Sequence, residues 1–240
     1  MVTYPEGALS TEGGAGVTQV ASGSGRKIDD VTAESVKPVS RQERKQRTRQ
    51  ALLDAALAQL ADRPFAVLSL REVTKQADIV PTAFYRHFTS MDELGLVLLG
   101  ESMSVLRGML DAARDTGTDF DEVARTVART LHSHTRAHEA HFRFLTRERH
   151  GGGGAVPQAA RTELRLFAGD LAVDLARFDC LRRWRTEDLR MLADMIVIML
   201  LSTAVELIET VPRSAESDER ILATAENRLK LLARGAEHWT

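Results

Sequence analysis

Apolar positions along residues 41–96 recur at helical spacing and are interrupted twice. Leu52, Leu53, Ala56, Leu57 and Leu60 share one face, and Pro64 closes that first helix, 41–63, ahead of Phe65, Val67 and Leu68. Leu70, Val73 and Ala77 fall on one face of a second, shorter helix. Ser69 with Glu72 three residues on forms a capping box at its start. Ser90 with Glu93 forms another, opening a long helix over 90–115. Between the boxes Asp78, Ile79 and Val80 break the pattern. Pro81, pre-set for a first helical position, starts a helix of about two turns that ends near Phe88. Phe84 and Phe88, four apart, point to the core, which leaves Thr82, Ala83, Tyr85, Arg86 and His87 on the other faces.

The same periodicity predicts helices over 119–138, 142–150, 157–178, 186–211 and 217–238. Their inward faces carry Val123, Val127 and Leu131; Leu164, Phe167, Leu171 and Leu175; and Ile221, Ala225, Leu229 and Leu232. Thr186 is the expected cap of the fourth. Residues 191–201 are apolar on nearly every face, so that helix must be buried all round. Strand-like Val/Ile/Thr runs are nearly absent. The expected fold class is all-α: an N-terminal three-helix helix-turn-helix domain over 41–90, and a C-terminal helical ligand-binding and dimerisation domain over 91–240. Residues 1–40, rich in Gly and Ser without periodicity, are expected to be a disordered tail.

Helix, short turn and short helix, with hydroxyl, aromatic and cationic groups on the free surface, is the chemistry a helix-turn-helix offers to a major groove. The competing reading is an amphipathic hairpin that only packs. Charge separates the two. The chain carries a formal net charge of −2, yet residues 41–90 hold nine Lys/Arg against five Asp/Glu, whereas residues 91–240 hold twenty against twenty-four. A basic module on an acidic remainder suits DNA, because local charge is what phosphates feel. Arg41, Arg44, Lys45, Arg47 and Arg49 crowd the start of the first helix, against its dipole, which nearby phosphates would explain.

These residues carry a family resemblance. Residues 41–100 resemble the DNA-binding region of TetR-type transcriptional regulators, most strongly in Phe84, Tyr85, Arg86, His87 and Phe88. Leu70, Arg71, Glu72 and Val73, the run from Pro81 to Phe88, and Asp92, Glu93, Leu94, Gly95 and Leu96 resemble a narrower branch, the bacterial repressors of unsaturated fatty-acid synthesis and desaturation. Phe142, Arg143, Arg147, Glu148, Arg149 and the glycines at 151–154 are similar to that branch as well. Met91 departs from the family, many members of which have Lys after the cap serine. The resemblance implies a homodimer, a palindromic double-stranded operator and a long-chain acyl-CoA ligand that governs genes of fatty-acid synthesis or desaturation. It leaves open whether ligand promotes or releases DNA binding.

Thr82, Ala83, Tyr85 and Arg86 are the residues expected at base edges: Thr82 and Ala83 against a thymine methyl, Arg86 on guanine. Arg49, Ser69, Tyr85 and His87 are expected on phosphates, fixing register. Leu98, Phe142, Phe144, Phe167 and Leu171, with Phe178, are candidates for a ligand pocket, although pocket lining and core read alike in a sequence. The dimer is expected to form through 186–211 and 217–238, as a four-helix bundle across a two-fold axis. His134, His138 and His141 have metal-compatible spacing, but a helix break near residues 137–140 separates them, and no metal or cofactor is expected.

Enzyme signatures are missing: there is no Gly-x-Ser-x-Gly, no phosphate-cradling glycine loop and no strand–helix alternation. The single cysteine, Cys180, excludes a disulfide framework, fits a reduced cytoplasm and reads as a small buried hydrophobe. No run of 18 uncharged apolar residues suggests a membrane span, and the N-terminus lacks the pattern of a signal peptide. A repressor of efflux or other genes with a promiscuous apolar pocket, or an acyl-binding protein whose DNA binding is secondary, are the alternatives to a lipid-responsive regulator. A sequence-blind DNA binder is disfavoured, because the small positive excess over 41–90 is too modest to hold DNA by phosphates alone.

Overall fold

Most helices begin on a side chain that caps them. The computed structural model describes residues 40–114, 119–236 and 238–239; residues 1–39, and with them the expected disordered tail, lie outside the described residues. Every described element is helical. α1 spans Arg41–Gln59 and opens on a capping box absent from the sequence reading: Ser40 Oγ accepts from Glu43 N–H (3.1 Å), and the Glu43 carboxylate accepts from Ser40 N–H (2.7 Å). The box puts an acidic group into the first turn, beside the cations that oppose the dipole. A 3₁₀ turn, Phe65–Val67, leads to α2, Leu70–Gln76, whose Ser69–Glu72 capping box forms as expected.

α3 is shorter than expected. Four residues, Pro81–Phe84, are α-helical, and tight i→i+3 turns continue them, with Arg86 N–H on Ala83 O (3.1 Å) and His87 N–H on Phe84 O (2.8 Å). Val80 at the cap position offers no side-chain bond, and the tighter winding turns Phe88 into the core beside Phe84. α4 spans Met91–Arg114. Its Ser90 accepts from Glu93 N–H (3.1 Å), but the Glu93 carboxylate takes Thr89 N–H and Thr89 Oγ1–H (both 2.6 Å) instead of Ser90 N–H, so the second box is only half formed.

α5 (Phe120–Ala137) and α6 (Glu139–Glu148) meet at His138, where the sequence places its break. α7 covers Ala155–Leu175, α8 Thr186–Glu209 and α9 Ala215–Ala236. Thr186 is the first helical residue of α8, not its cap; Arg185 holds the cap position without a side-chain bond. Ser214 and Ser217 cap α9 reciprocally, each hydroxyl accepting the other's backbone N–H at 3.0 Å. The described residues form one unit. α7 lies along α8, α5 along α9, and α4 runs between α5 and α7.

The head closes around Leu52, Ala56, Leu60, Val73, Phe84 and Phe88, all fully buried. Burying a phenylalanine fully contributes roughly 1.5–3 kcal/mol, so Phe84 and Phe88 anchor a helix too short to stand alone. α8 corrects the expectation of all-round burial. Leu192, Ala193, Val197, Leu200 and Leu201 are inside, but Met191, Met195 and Ile198 are 44%, 48% and 52% exposed. By length and composition α8 could cross a membrane; half of its apolar window is buried against neighbouring helices. Cys180, expected inside, is exposed in the turn that follows α7.

Candidate nucleic-acid interface and ligand cavity

The turn between α2 and α3 is built by a Schellman motif. Ile79 N–H bonds Thr74 O (2.9 Å) and Asp78 N–H bonds Lys75 O (3.2 Å), with Asp78 in the left-handed region at φ 54°. This sets the angle at which α3 leaves α2. α3 then presents Thr82, Tyr85 and Arg86 to solvent, with Ala83 half-buried beside them. Tyr85 is 64% exposed, and its ring packs edge-on against buried Phe84 at 5.6 Å, so its position is fixed while its hydroxyl end stays outside. Val80, which the sequence reading passed over, is 65% exposed at the start of the same surface. Its signal was the proline after it: a residue before Pro81 at N1 has to lie outside the helix.

The expected phosphate contacts divide. Tyr85 is on the open face. The Ser69 hydroxyl accepts from Glu72 N–H and donates its only proton to Glu72 Oε2 (2.6 Å). The Glu72 carboxyl is pulled down to about 2, first by that bond and then by Arg63, so it is ionised at any working pH. Ser69 is therefore a cap with no side-chain proton left to donate. Arg49 reaches from α1 to the far end of the recognition turn: Nη1 donates to His87 O (2.8 Å), and its guanidinium lies 4.2 Å from the centre of the Phe88 ring. His87 is half-buried with Nδ1 unpartnered. Burial, and then the charges of Lys45, Arg49 and Arg86, push its pKa below the usual histidine value, so it is neutral at pH 7.

A joint connects this head to the body. The buried Glu148 carboxylate, at the end of α6, accepts the Phe65 N–H (2.9 Å), and Arg147 donates to Leu60 O (2.8 Å) and Ala61 O (3.3 Å). Gly95 of α4 passes between Phe65 and Val156; a Cβ there would lie 2.5 Å from Phe65 Cζ and 2.6 Å from Val156 Cγ2. The glycine is what lets α4, α7 and the head loop meet.

Within the body, an apolar cavity of about 120 Å³ lies among α4, α5, α7, α8 and α9. Met109, Phe120, Val127, Phe178, Ile196 and Leu232 are among the side chains around it, with Phe120 and Phe178 stacked at 4.3 Å. Phe167 and Leu171, two of the candidate pocket residues, are in its lining. Leu98, Phe142 and Phe144 do not: all three are fully buried core, and the cavity lies toward the other end of α4, near Arg114. Polar groups enter through Arg114, Asp174 and Arg177. Arg114 Nε donates to Asp174 (2.8 Å), and Arg177 donates to Arg114 O (3.3 Å). Most of this lining was invisible because core and pocket share one pattern.

The histidine run does not gather into a metal site; among the described residues no three His, Cys, Asp or Glu converge. Its members have separate partners. Ser102 Oγ donates to Leu98 O (2.8 Å) and so receives the His141 Nδ1–H (2.8 Å). His132 pairs with Asp218 (2.8 Å), and His134 bonds Thr130 O.

Comparison with known proteins agrees with this geometry. Residues 52–96 match the family model described as bacterial regulatory proteins, tetR family. Among solved structures, SCO4454, a TetR-family transcriptional regulator from Streptomyces coelicolor, is similar with a TM-score of 0.62 at 18% identity, over 80% of this chain and 97% of that one. The fatty acid degradation regulator FadR from Bacillus halodurans gives 0.60 at 12% identity, over 77% and 94%. AibR, solved with isovaleryl coenzyme A and operator DNA, gives 0.59 at 14% identity, over 75% and 97%. Residues 52–96 thus match the tetR-family model, and the chain has the all-helical fold of the TetR-type transcriptional regulators it resembles.

Proposed function

We propose that the chain is a ligand-responsive transcriptional regulator that binds a palindromic operator as a homodimer and answers to an acyl thioester. The observation that carries the DNA half is the surface of α3. Thr82, Tyr85 and Arg86 stand outward, with half-buried Ala83 among them, on a base of buried Phe84 and Phe88, within the segment that matches the family model. Thr82, Ala83 and Val80 suit thymine methyls, Arg86 suits a guanine edge and Tyr85 a phosphate; one good bidentate base contact contributes ~1–3 kcal/mol of discrimination. Such a protein works in the compartment that holds the DNA, a bacterial cytoplasm.

The ligand half rests on the body cavity. Its apolar lining suits an acyl chain, and AibR, of the same fold, was solved with isovaleryl coenzyme A. A cavity of about 120 Å³ is close to the ~150 Å³ that holds a benzene ring. It matches a short or branched acyl group; a long chain requires α4, α5 or α9 to move apart. That requirement is a route to regulation, since a ligand shifts only the equilibrium between states it binds unequally. A second reading, a promiscuous pocket for apolar cations, has one observation in its favour: Asp174 lines the cavity, with Asp111 and Asp170 near the same arginine.

The dimer is proposed on α8, with α7 as its neighbour in place of α9. Exposed apolar residues line up there: Leu166 and Val173 on α7, and Met191, Met195 and Ile198 on α8. α9 turns Ile221 and Ala225 inward and leaves Leu231 as its one large exposed apolar residue.

The test is operator retention by the full chain with acyl-CoAs of rising chain length and with an apolar cation. A response that peaks at short or branched acyl groups supports the reading. A response to the cation alone moves the assignment to the second reading, and indifference to both removes the ligand half.

A further inference from the structure

α3 poses a mechanical problem. Four α-helical residues without a side-chain cap cannot hold their own orientation, yet base reading demands one. Ala83 O and Phe84 O are taken by the tight turns that follow, and the His87 carbonyl at the end of those turns still needs a donor. One side chain answers both needs. Arg49, 38 residues earlier on α1, donates to His87 O at 2.8 Å and lays its guanidinium on the face of Phe88 at 4.2 Å. Phe88 in turn packs on Phe84 at 5.5 Å, the buried residue of α3. The charge of Arg49 is also felt by Glu93 and Glu101 of α4.

We infer that Arg49 is a positioning residue for DNA reading: it fixes the recognition turn against α1 through His87 O and the Phe88 ring, instead of contacting a phosphate. This rests on the regulator reading above. Two features set it apart from a phosphate contact. The guanidinium is already hydrogen-bonded inside the protein and half-buried. Its planar fork also does what a lysine cannot, donating in plane while stacking on a ring.

The test compares Arg49→Lys and Arg49→Met in the full chain, measuring operator and random-duplex affinity across salt and amide hydrogen exchange in the free protein. Positioning predicts that both variants lose operator affinity by about tenfold to a hundredfold. Arg49→Lys should leave random-duplex affinity nearly unchanged. Exchange should rise at residues 86–88 while residues 52–56 stay protected. If Arg49→Lys restores the operator, and Arg49→Met weakens operator and random duplex alike with a salt slope shallower by ~0.9, Arg49 is a phosphate contact and the inference is overturned. Loss of protection at 52–56 in both variants overturns it too, because Arg49 then only holds the head together. A native chain that prefers no sequence over random duplex removes the regulator reading, while the exchange comparison still decides whether Arg49 fixes the turn.

Discussion

Asp78 is a single residue on which the reading angle depends. At φ 54° it occupies a conformation that costs most residues ~1–2 kcal/mol, and Asp is one of the few side chains to visit it routinely. Asp78→Val should therefore lower head stability by about that much, more for its β-branch, whereas Asp78→Gly should be tolerated. Thermal melts of the two variants check this, and equal melts would show that the turn adapts. His87 and His141 make a second case. Burial comes first in lowering both below the ordinary 6.5, followed for His87 by the cations around it and for His141 by His138. As pH falls below 6.5 the unfolded chain takes protons that these folded imidazoles refuse. Their stabilisation is therefore complete above 6.5 and is lost as pH falls toward the folded values. Glu101, raised above the ordinary 4.5 by burial and by Asp54, acts with the opposite sign: its contribution is present below 4.5 and lost as pH rises through its folded value. Urea midpoints should decline on acidification below pH 6.5, less steeply in His141→Gln. An identical slope in that variant would remove His141 from the explanation.

At the scale of elements, the joint between head and body would, on the proposed reading, turn a ligand event into a DNA event. α4 alone is one rod. The Glu148 bond to Phe65 N–H and the Arg147 bonds to Leu60 O and Ala61 O add a second connection from α6. Glu148→Ala leaves a buried amide unpaired, at ~1–3 kcal/mol, while Glu148→Gln keeps an acceptor. The alanine variant should show faster exchange at the Phe65 amide and a weaker ligand effect on operator binding, the glutamine variant little of either. An unchanged ligand effect in both would mean that α4 carries the coupling alone. None of this could be read from the chain, because residues 65 and 148 are 83 positions apart and nothing local marks them as partners. Local grammar was legible: the Ser69–Glu72 box, Pro81 at N1, the break at His138. Where the grammar had a competing partner, it misled. Glu93 has both Thr89 and Ser90 within reach and takes Thr89. Phe142 and Phe144 are as apolar as Phe167, and only the third dimension sends one to the cavity and two to the core.

For the whole molecule, the residue pattern of α8 asks for more burial than one chain provides. Ile198 stands 52% exposed on the same helix whose other faces form the core. A two-fold partner on α7 and α8 would cover it, and would set the spacing of two recognition turns to successive major grooves, one helical turn or ~34–36 Å apart. Ile198→Glu should yield folded monomers by sedimentation, and Leu231→Glu on α9 should stay dimeric. The reverse pattern would put the interface on α9.

On the proposed reading, α3 recognises a specific operator through a two-fold dimer. The measurement that tests it most directly is selection of bound duplexes from a random double-stranded pool by the purified full chain, at physiological salt. A palindrome with half-sites about one helical turn apart should be enriched, and that enrichment should be lost in Tyr85→Ala while the fold persists. Recovery of an unenriched pool, or enrichment that Tyr85→Ala leaves intact, would contradict it.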